Sequence, residues 1–206
     1  MKKFSSLCLA VIMIFALLPV SALAAETNMP TGTCEPIIIT DLSTGEVYEA
    51  ETYRVETSGL GSDNIAKTVV ADINLNSRGA RSSVTDSGVT VRITCTTSAT
   101  RSGNTYRMTK FTAKYELLDA AFTISNRKVK TANYGAPELQ QNVVSNYIWN
   151  YTPTSNFFSQ SYSNLPWVNS VGAPGFVGGF AECTILRAGS SWSLQCRDFV
   201  VENGLL

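Results

Sequence analysis

Five cysteines and no histidine set the chemistry open to this 206-residue chain. Histidine is the usual general base, and without it neither a Ser-His-Asp nor a Cys-His hydrolase can be assembled. The sequence also lacks a glycine loop to cradle phosphate, a dinucleotide fingerprint and a calcium loop of regularly spaced acids, so no cofactor is expected. A zinc site is not expected either, since there is no histidine and no C-x-x-C pair to supply ligands. Catalysis by carboxylates alone, as in glycoside hydrolysis, stays open through Glu116, Asp119, Glu138, Glu182 and Asp198. Glu182 has a simpler role as the ion-pair partner of Arg197 across a strand pair, and solvation accounts for the others. The expectation is a protein that is not an enzyme.

The cysteines point to compartment before they point to chemistry. Cys8 lies in the opening MKKFSSLCLAVIMIFALLPVSALAAE, where Lys2 and Lys3 precede an apolar run and Ala22-Leu23-Ala24 forms a small-x-small cleavage site. This is the pattern of a secretory signal peptide over residues 1–24, and its apolar run is shorter than the roughly 20 residues that a membrane span needs. The C-terminal VVENGLL supplies no hydrophobic anchor. A single secreted domain over residues 25–206, free in the extracellular space, is therefore expected. Cys34, Cys95, Cys183 and Cys196 remain, and an even number in an exported chain favours two disulfides.

The stretch FAECTILRAGSSWSLQCRDFV, residues 180–200, predicts how they pair. A two-residue loop at Gly189-Ser190 sets Cys183 opposite Cys196, Ile185 opposite Leu194, Arg187 opposite Trp192, Glu182 opposite Arg197 and Phe180 opposite Phe199, so apolar and opposite-charge pairs fall across the strands. That register favours Cys183 with Cys196 and leaves Cys34 with Cys95. In the competing arrangement both hairpin cysteines face the opposite sheet and bond to Cys34 and Cys95.

Two further clusters could bind. Residues 147–167 carry Tyr147, Trp149, Tyr151, Phe157, Phe158, Tyr162 and Trp167. Tyr147, Trp149 and Tyr151 fall on one strand phase and Trp167 sits in a polar loop, so these four are the candidate ligand-facing rings, with core and strand-edge packing as the alternative use of the same side chains. Arg101, Arg107, Lys110, Lys114, Arg127, Lys128 and Lys130 form a basic run that would meet an anionic wall polymer or an acidic partner, or else simply be solvated. With 16 basic against 16 acidic residues overall, nothing draws the chain to nucleic acid.

Short strands must position these residues. EPIIITDL and EVYEAETYRVE flank a Ser43-Thr44-Gly45 turn; residues 65–75 read as a strand and residues 76–88 as a loop. GVTVRITCTT alternates cleanly, with Val89, Val91, Ile93 and Cys95 on the buried face. After a turn over residues 98–104 the chain returns through Tyr106 and Met108 on one phase and Phe111, Ala113, Tyr115 and Leu117 on the other, which predicts a bulge near Thr109. Residues 121–131 read as a hairpin about Asn126-Arg127, residues 137–146 as a turn of helix, and residues 152–175 as one long connection before the glycines of GFVGGF.

The whole predicts an all-β antiparallel sandwich closed by the hairpin over residues 180–200. Cys95 on its clean strand resembles the core cysteine of immunoglobulin-like domains, an immunoglobulin-like form of the sandwich being one version of the expectation, although the Cys and Trp spacing that certifies those domains is absent. The function expected is extracellular binding or adhesion to a surface polysaccharide or a protein partner. A carboxylate-based glycan hydrolase and a small secreted toxin or structural protein are the alternatives.

Overall fold

The computed structural model describes residues 37–49, 52–59, 62–75, 89–137, 145–171 and 174–203. The signal peptide, Cys34, Glu138 and the helical turn expected over residues 137–146 lie wholly or largely outside them.

All regular structure among these residues is strand: β1 Ile37–Asp41, β2 Val47–Glu49, β3 Thr52–Ser58, β4 Asn64–Ile73, β5 Val91–Ser102, β6 Thr105–Leu117, β7 Thr123–Gly135, β8 Ser145–Tyr151, β9 Phe157–Ser161, β10 Val168–Asn169, β11 Gly175–Arg187 and β12 Ser190–Asn203. They form two antiparallel six-stranded sheets. The first has the order β2-β1-β12-β11-β7-β8; the second runs β10-β6-β5-β4-β3, with β9 also pairing with β6. The protein is an all-β sandwich, and its sheets hold more strands than the roughly seven to nine of an immunoglobulin domain.

Period-2 alternation explains the packing. Val91, Ile93 and Cys95 of β5, Met108, Phe111, Ala113 and Tyr115 of β6, and Ile185, Trp192, Leu194 and Cys196 of the last two strands meet in one core between the sheets. Val89, expected to join them, is exposed, while Thr90 is buried and uses its hydroxyl to accept from the Leu75 amide and donate to the Ile73 carbonyl. A smaller cluster of Ala132, Phe176 and Phe199 sits on the other face of the first sheet, flanked by Tyr134 and Phe180.

The bulge expected near Thr109 is present: Ser98 pairs with Lys110 and Ala99 with Met108, so Thr109 is skipped and Tyr106 and Met108 face the same core as Phe111. The turn before it is tighter than residues 98–104, since β5 continues to Ser102 and Gly103, with φ 58°, begins a two-residue loop. Residues 121–131 do not form a hairpin. Asn126 does take positive φ, 47°, but within the continuous β7, where the register against β11 shifts between Glu182 and Thr184. The positive φ makes a bulge because β11 lies alongside to keep both halves of β7 in one ladder.

The closing hairpin forms in a register two residues from the one expected. Its loop is Ala188-Gly189, with Arg187 opposite Ser190, Ile185 opposite Trp192, Glu182 opposite Gln195 and Phe180 opposite Arg197. Cys183 therefore faces Leu194, and Cys196 faces Ala181. A shift of two keeps every side chain on its own face, so alternation fits either register and the loop decides. Gly189 supplies positive φ, 79°, at the second loop position, where the expected loop had it at the first.

The glycines of GFVGGF do mark close approach. A Cβ on Gly179 would lie 2.5 Å from the Lys130 carbonyl oxygen, and one on Gly178 would meet the Asp198 carbonyl.

Candidate functional site

Strand β8 is an edge of the first sheet, and its pairing with β7 sets Tyr147 opposite Asn133, Trp149 opposite Thr131 and Tyr151 opposite Val129. Those β7 residues are buried on the core side, so the three rings point into the open flank of the sandwich. The long connection expected over residues 152–175 fills that flank in an ordered way: β9 pairs with the edge of β6, Phe158 opposite Ala113, and β10 pairs with it again, Val168 opposite Tyr106. Extra strands on the β6 edge satisfy backbone groups that a polar loop would have left to water.

A row of rings results. Tyr147 stacks on Trp149 with centroids 5.6 Å apart and planes 22° apart. Trp149 meets Tyr162 at 4.6 Å, and Tyr151 meets Phe158 at 4.9 Å. The Tyr162 hydroxyl lies 2.7 Å from Thr131 Oγ1 and 3.3 Å from the Tyr151 hydroxyl. Burial raises its pKa further above the physiological range, so the phenol keeps its proton and has one hydrogen to donate to either oxygen. Trp149, Tyr151, Phe158 and Tyr162 are partly buried against the main core, whereas Tyr147 is 44% exposed at the outer end of the row. The same aromatic cluster thus serves as core at its inner end and as surface at its outer end.

Asn133 holds this flank together. Its Oδ1 accepts from the Met108 amide at 2.9 Å, and its Nδ2 donates to Ser145 Oγ at 2.7 Å and to the Pro166 carbonyl at 2.9 Å. Ser145 Oγ donates in turn to the Asn133 carbonyl. One buried amide therefore ties β7 to β6, to β8 and to the segment leading into β10. Sequence reading missed it, because a lone Asn among Thr131, Ala132 and Tyr134 carries no local signal of a hub.

Trp167 does not join the row. It precedes Val168, which faces the core, and it lies half-buried beneath the Arg107 guanidinium, 4.6 Å from the ring centroid, on the outer side of the second sheet. The basic run is divided in the same way. Lys110 pairs in register with Ser161 and Lys114 with Phe157 along β6 and β9, whereas Lys128 and Lys130 lie on β7 in the other sheet.

Of the carboxylates considered for catalysis, Glu138 lies outside the described residues and the other four are engaged or enclosed. Glu116 on β6 accepts from Lys114 at 2.8 Å, Glu182 on β11 pairs with Lys128 at 3.4 Å, Asp119 accepts from the Ala121 amide at 2.8 Å, and Asp198 is enclosed between the sheets. Glu182 finds Lys128 instead of Arg197 because of the altered hairpin register, and Arg197 pairs with Glu202 at 2.6 Å. No group of side chains suited to a metal ion occurs among the described residues. Cys95, Cys183 and Cys196 are buried and no two of them are joined in this structure, so the expected Cys183–Cys196 bond is not formed, Cys183 standing opposite Leu194.

The chain matches no family model, no curated protein and no solved structure. The site's own geometry is what bears on function.

Proposed function

We propose that this protein is an exported, disulfide-bearing binding module that takes a polysaccharide surface on the Tyr147-Trp149 stack. The observation that carries this is the pair itself: two near-parallel rings on one strand, the outer one 44% exposed. Flat rings held in place offer a sugar's apolar face contact area at little conformational cost. Enclosed rings behind them fix the platform's angle, and Asn133 fixes the strand that bears it. The role is non-enzymatic in this reading: Glu116 and Glu182 are each engaged by a lysine and Asp198 is enclosed in the core.

Retention on insoluble neutral polysaccharide tests it. Tyr147→Ala should weaken retention about tenfold, equivalent to about 1.4 kcal/mol, without altering the thermal melt. Unchanged retention would refute the stack as the ligand platform.

A second reading rests on the outer face of the second sheet, where Trp167, Arg107, Lys110, Lys114 and the 57% exposed Phe157 run along β6 and its partners. That strip suits an anionic wall polymer. Lys110→Glu would weaken retention on such a polymer and leave retention on a neutral one unchanged, whereas Tyr147→Ala would do the reverse.

A further inference from the structure

We propose that Cys95 and Cys196 are a disulfide pair, closing one covalent bond between the two sheets. Both side chains are fully buried in the core, Cys95 from β5 and Cys196 from β12. Cys95 Sγ lies 3.6 Å from the Cys196 carbonyl oxygen. The two thiols also interact directly with each other, so the sulfurs are neighbours and a change of χ1 is the movement that would close the bond.

The strands are already clamped in the register the bond requires. Two residues further along each, the Thr97 amide donates to Asp198 Oδ2 at 2.6 Å and Thr97 Oγ1 donates to the Asp198 carbonyl at 2.7 Å. Cys95 with Cys196 and Thr97 with Asp198 have the same sequence separation, 101 residues. Thus β5 and β12 pass one another in the same direction, with successive inward positions paired. Alanines stand on the neighbouring strands, Ala113 opposite Cys95 and Ala181 opposite Cys196, and their small side chains let the sheets approach closely there.

Cys183 is the competitor and is badly placed. It opposes Leu194, so it is diagonal to Cys196 in the hairpin. Diagonal neighbours have Cα atoms about 7 to 8 Å apart, beyond the span of a disulfide.

The reaction is thiol–disulfide exchange with an external disulfide such as oxidised glutathione. One thiolate attacks a glutathione sulfur and expels one glutathione thiolate, then the second thiolate attacks the mixed disulfide and expels the other. Two cysteine thiols are oxidised, and one glutathione disulfide becomes two thiols. Cys95 and Cys196 are both fully buried, out of reach of an external disulfide in the folded state, and burial also raises the pKa of Cys95 well above its ordinary value, which suppresses its thiolate. The bond therefore closes during folding, before the sheets shut. This inference rests on the export reading only for the source of oxidant in the cell, and the test supplies that oxidant itself.

Full-length protein is reduced, unfolded and refolded with reduced and oxidised glutathione, then alkylated and digested with trypsin without reduction. Peptide 93–101 should be recovered joined to peptide 188–197, lighter by two hydrogens, about 2 Da, than the two thiols together, and released by reductant. Recovery of both peptides alkylated, or of either joined to a peptide carrying Cys34 or Cys183, would overturn the pairing. Cys183→Ser should retain the link and Cys196→Ser should abolish it. Protein folded while reduced and then given the same oxidant should form the link at least tenfold more slowly; comparable rates would overturn its closure during folding.

Discussion

The Thr97 amide donates to the Asp198 carboxylate at 2.6 Å, joining β5 to β12 through the middle of the sandwich. The other oxygen, Asp198 Oδ1, has no hydrogen-bond partner among the described residues. Lys67 acts from nearby to favour the charged form, yet its ammonium donates to the Phe199 carbonyl at 2.8 Å, and burial outweighs both influences. The carboxyl is raised from 3.8 to about 7.

A raised carboxyl pKa means that the folded state holds a proton the unfolded state has released. The stability due to Asp198 is fully present below pH 3.8 and is lost as pH rises towards 7. The loss is on the order of 4 kcal/mol over that window. Urea unfolding between pH 4.5 and 8 should show it, and Asp198→Asn should flatten the profile by removing the titration. The same pH slope in both proteins would sink this account.

Asn133→Ala should loosen the flank as well as the fold. It leaves the buried Met108 amide without its partner, at about 1 to 3 kcal/mol, and frees the partly buried Pro166 carbonyl at a smaller cost. A melt reads the stability, and Trp149 fluorescence, alongside that of Trp167 and Trp192, should report a more solvated ring.

The glycines separate crowding from backbone strain. At Gly179 a Cβ would meet the Lys130 carbonyl at 2.5 Å and Phe111 Cε2 at 3.1 Å, so Gly179→Ala should cost about 1 to 3 kcal/mol by overpacking. Gly189 has open space around it but a φ of 79°, so Gly189→Ala should cost about 1 kcal/mol by strain alone. A second substitution separates the two causes: trimming the neighbour with Phe111→Leu should relieve part of the Gly179→Ala cost and none of the Gly189→Ala cost, and equal relief in urea denaturation would contradict this division.

Trp192 and Trp167 should respond very unequally to truncation. Trp192 is enclosed and packs on Phe122 at 6.1 Å, so Trp192→Ala should cost about 3 to 5 kcal/mol. Its Nε1 has no partner among the described residues, hence Trp192→Phe removes an unsatisfied donor and should cost under about 1.5 kcal/mol. Trp167→Ala gives up mainly its contact with Arg107, about 1 kcal/mol. Thermal melts of the three variants are the check.

Much of the sandwich was legible in the residues. The alternation of Val91, Ile93 and Cys95 identified a one-sided strand, and the change of phase between Met108 and Phe111 placed a bulge that the Ser98-Lys110 register displays. The row of Tyr147, Trp149 and Tyr151 on one phase was also readable, since a strand must put those three on one side. Asn126 shows the limit. Positive φ at one residue serves a hairpin or a bulge equally well, and only the neighbouring β11 made it a bulge.

Chain pattern by itself determined class and face: the period of two says which side chains share a side, and the absence of histidine says which catalytic machinery cannot be built. Tertiary structure alone decided partners. Registers two residues apart bury the same face, so only the loop geometry at Gly189 placed Cys183 against Leu194. Only the packing of one sheet on the other brought Cys95 to Cys196, 101 residues away, and enclosed Asp198 beside Thr97. Local periodicity fixes direction, whereas proximity across a core depends on how whole sheets stack, and no stretch of sequence contains that information on its own.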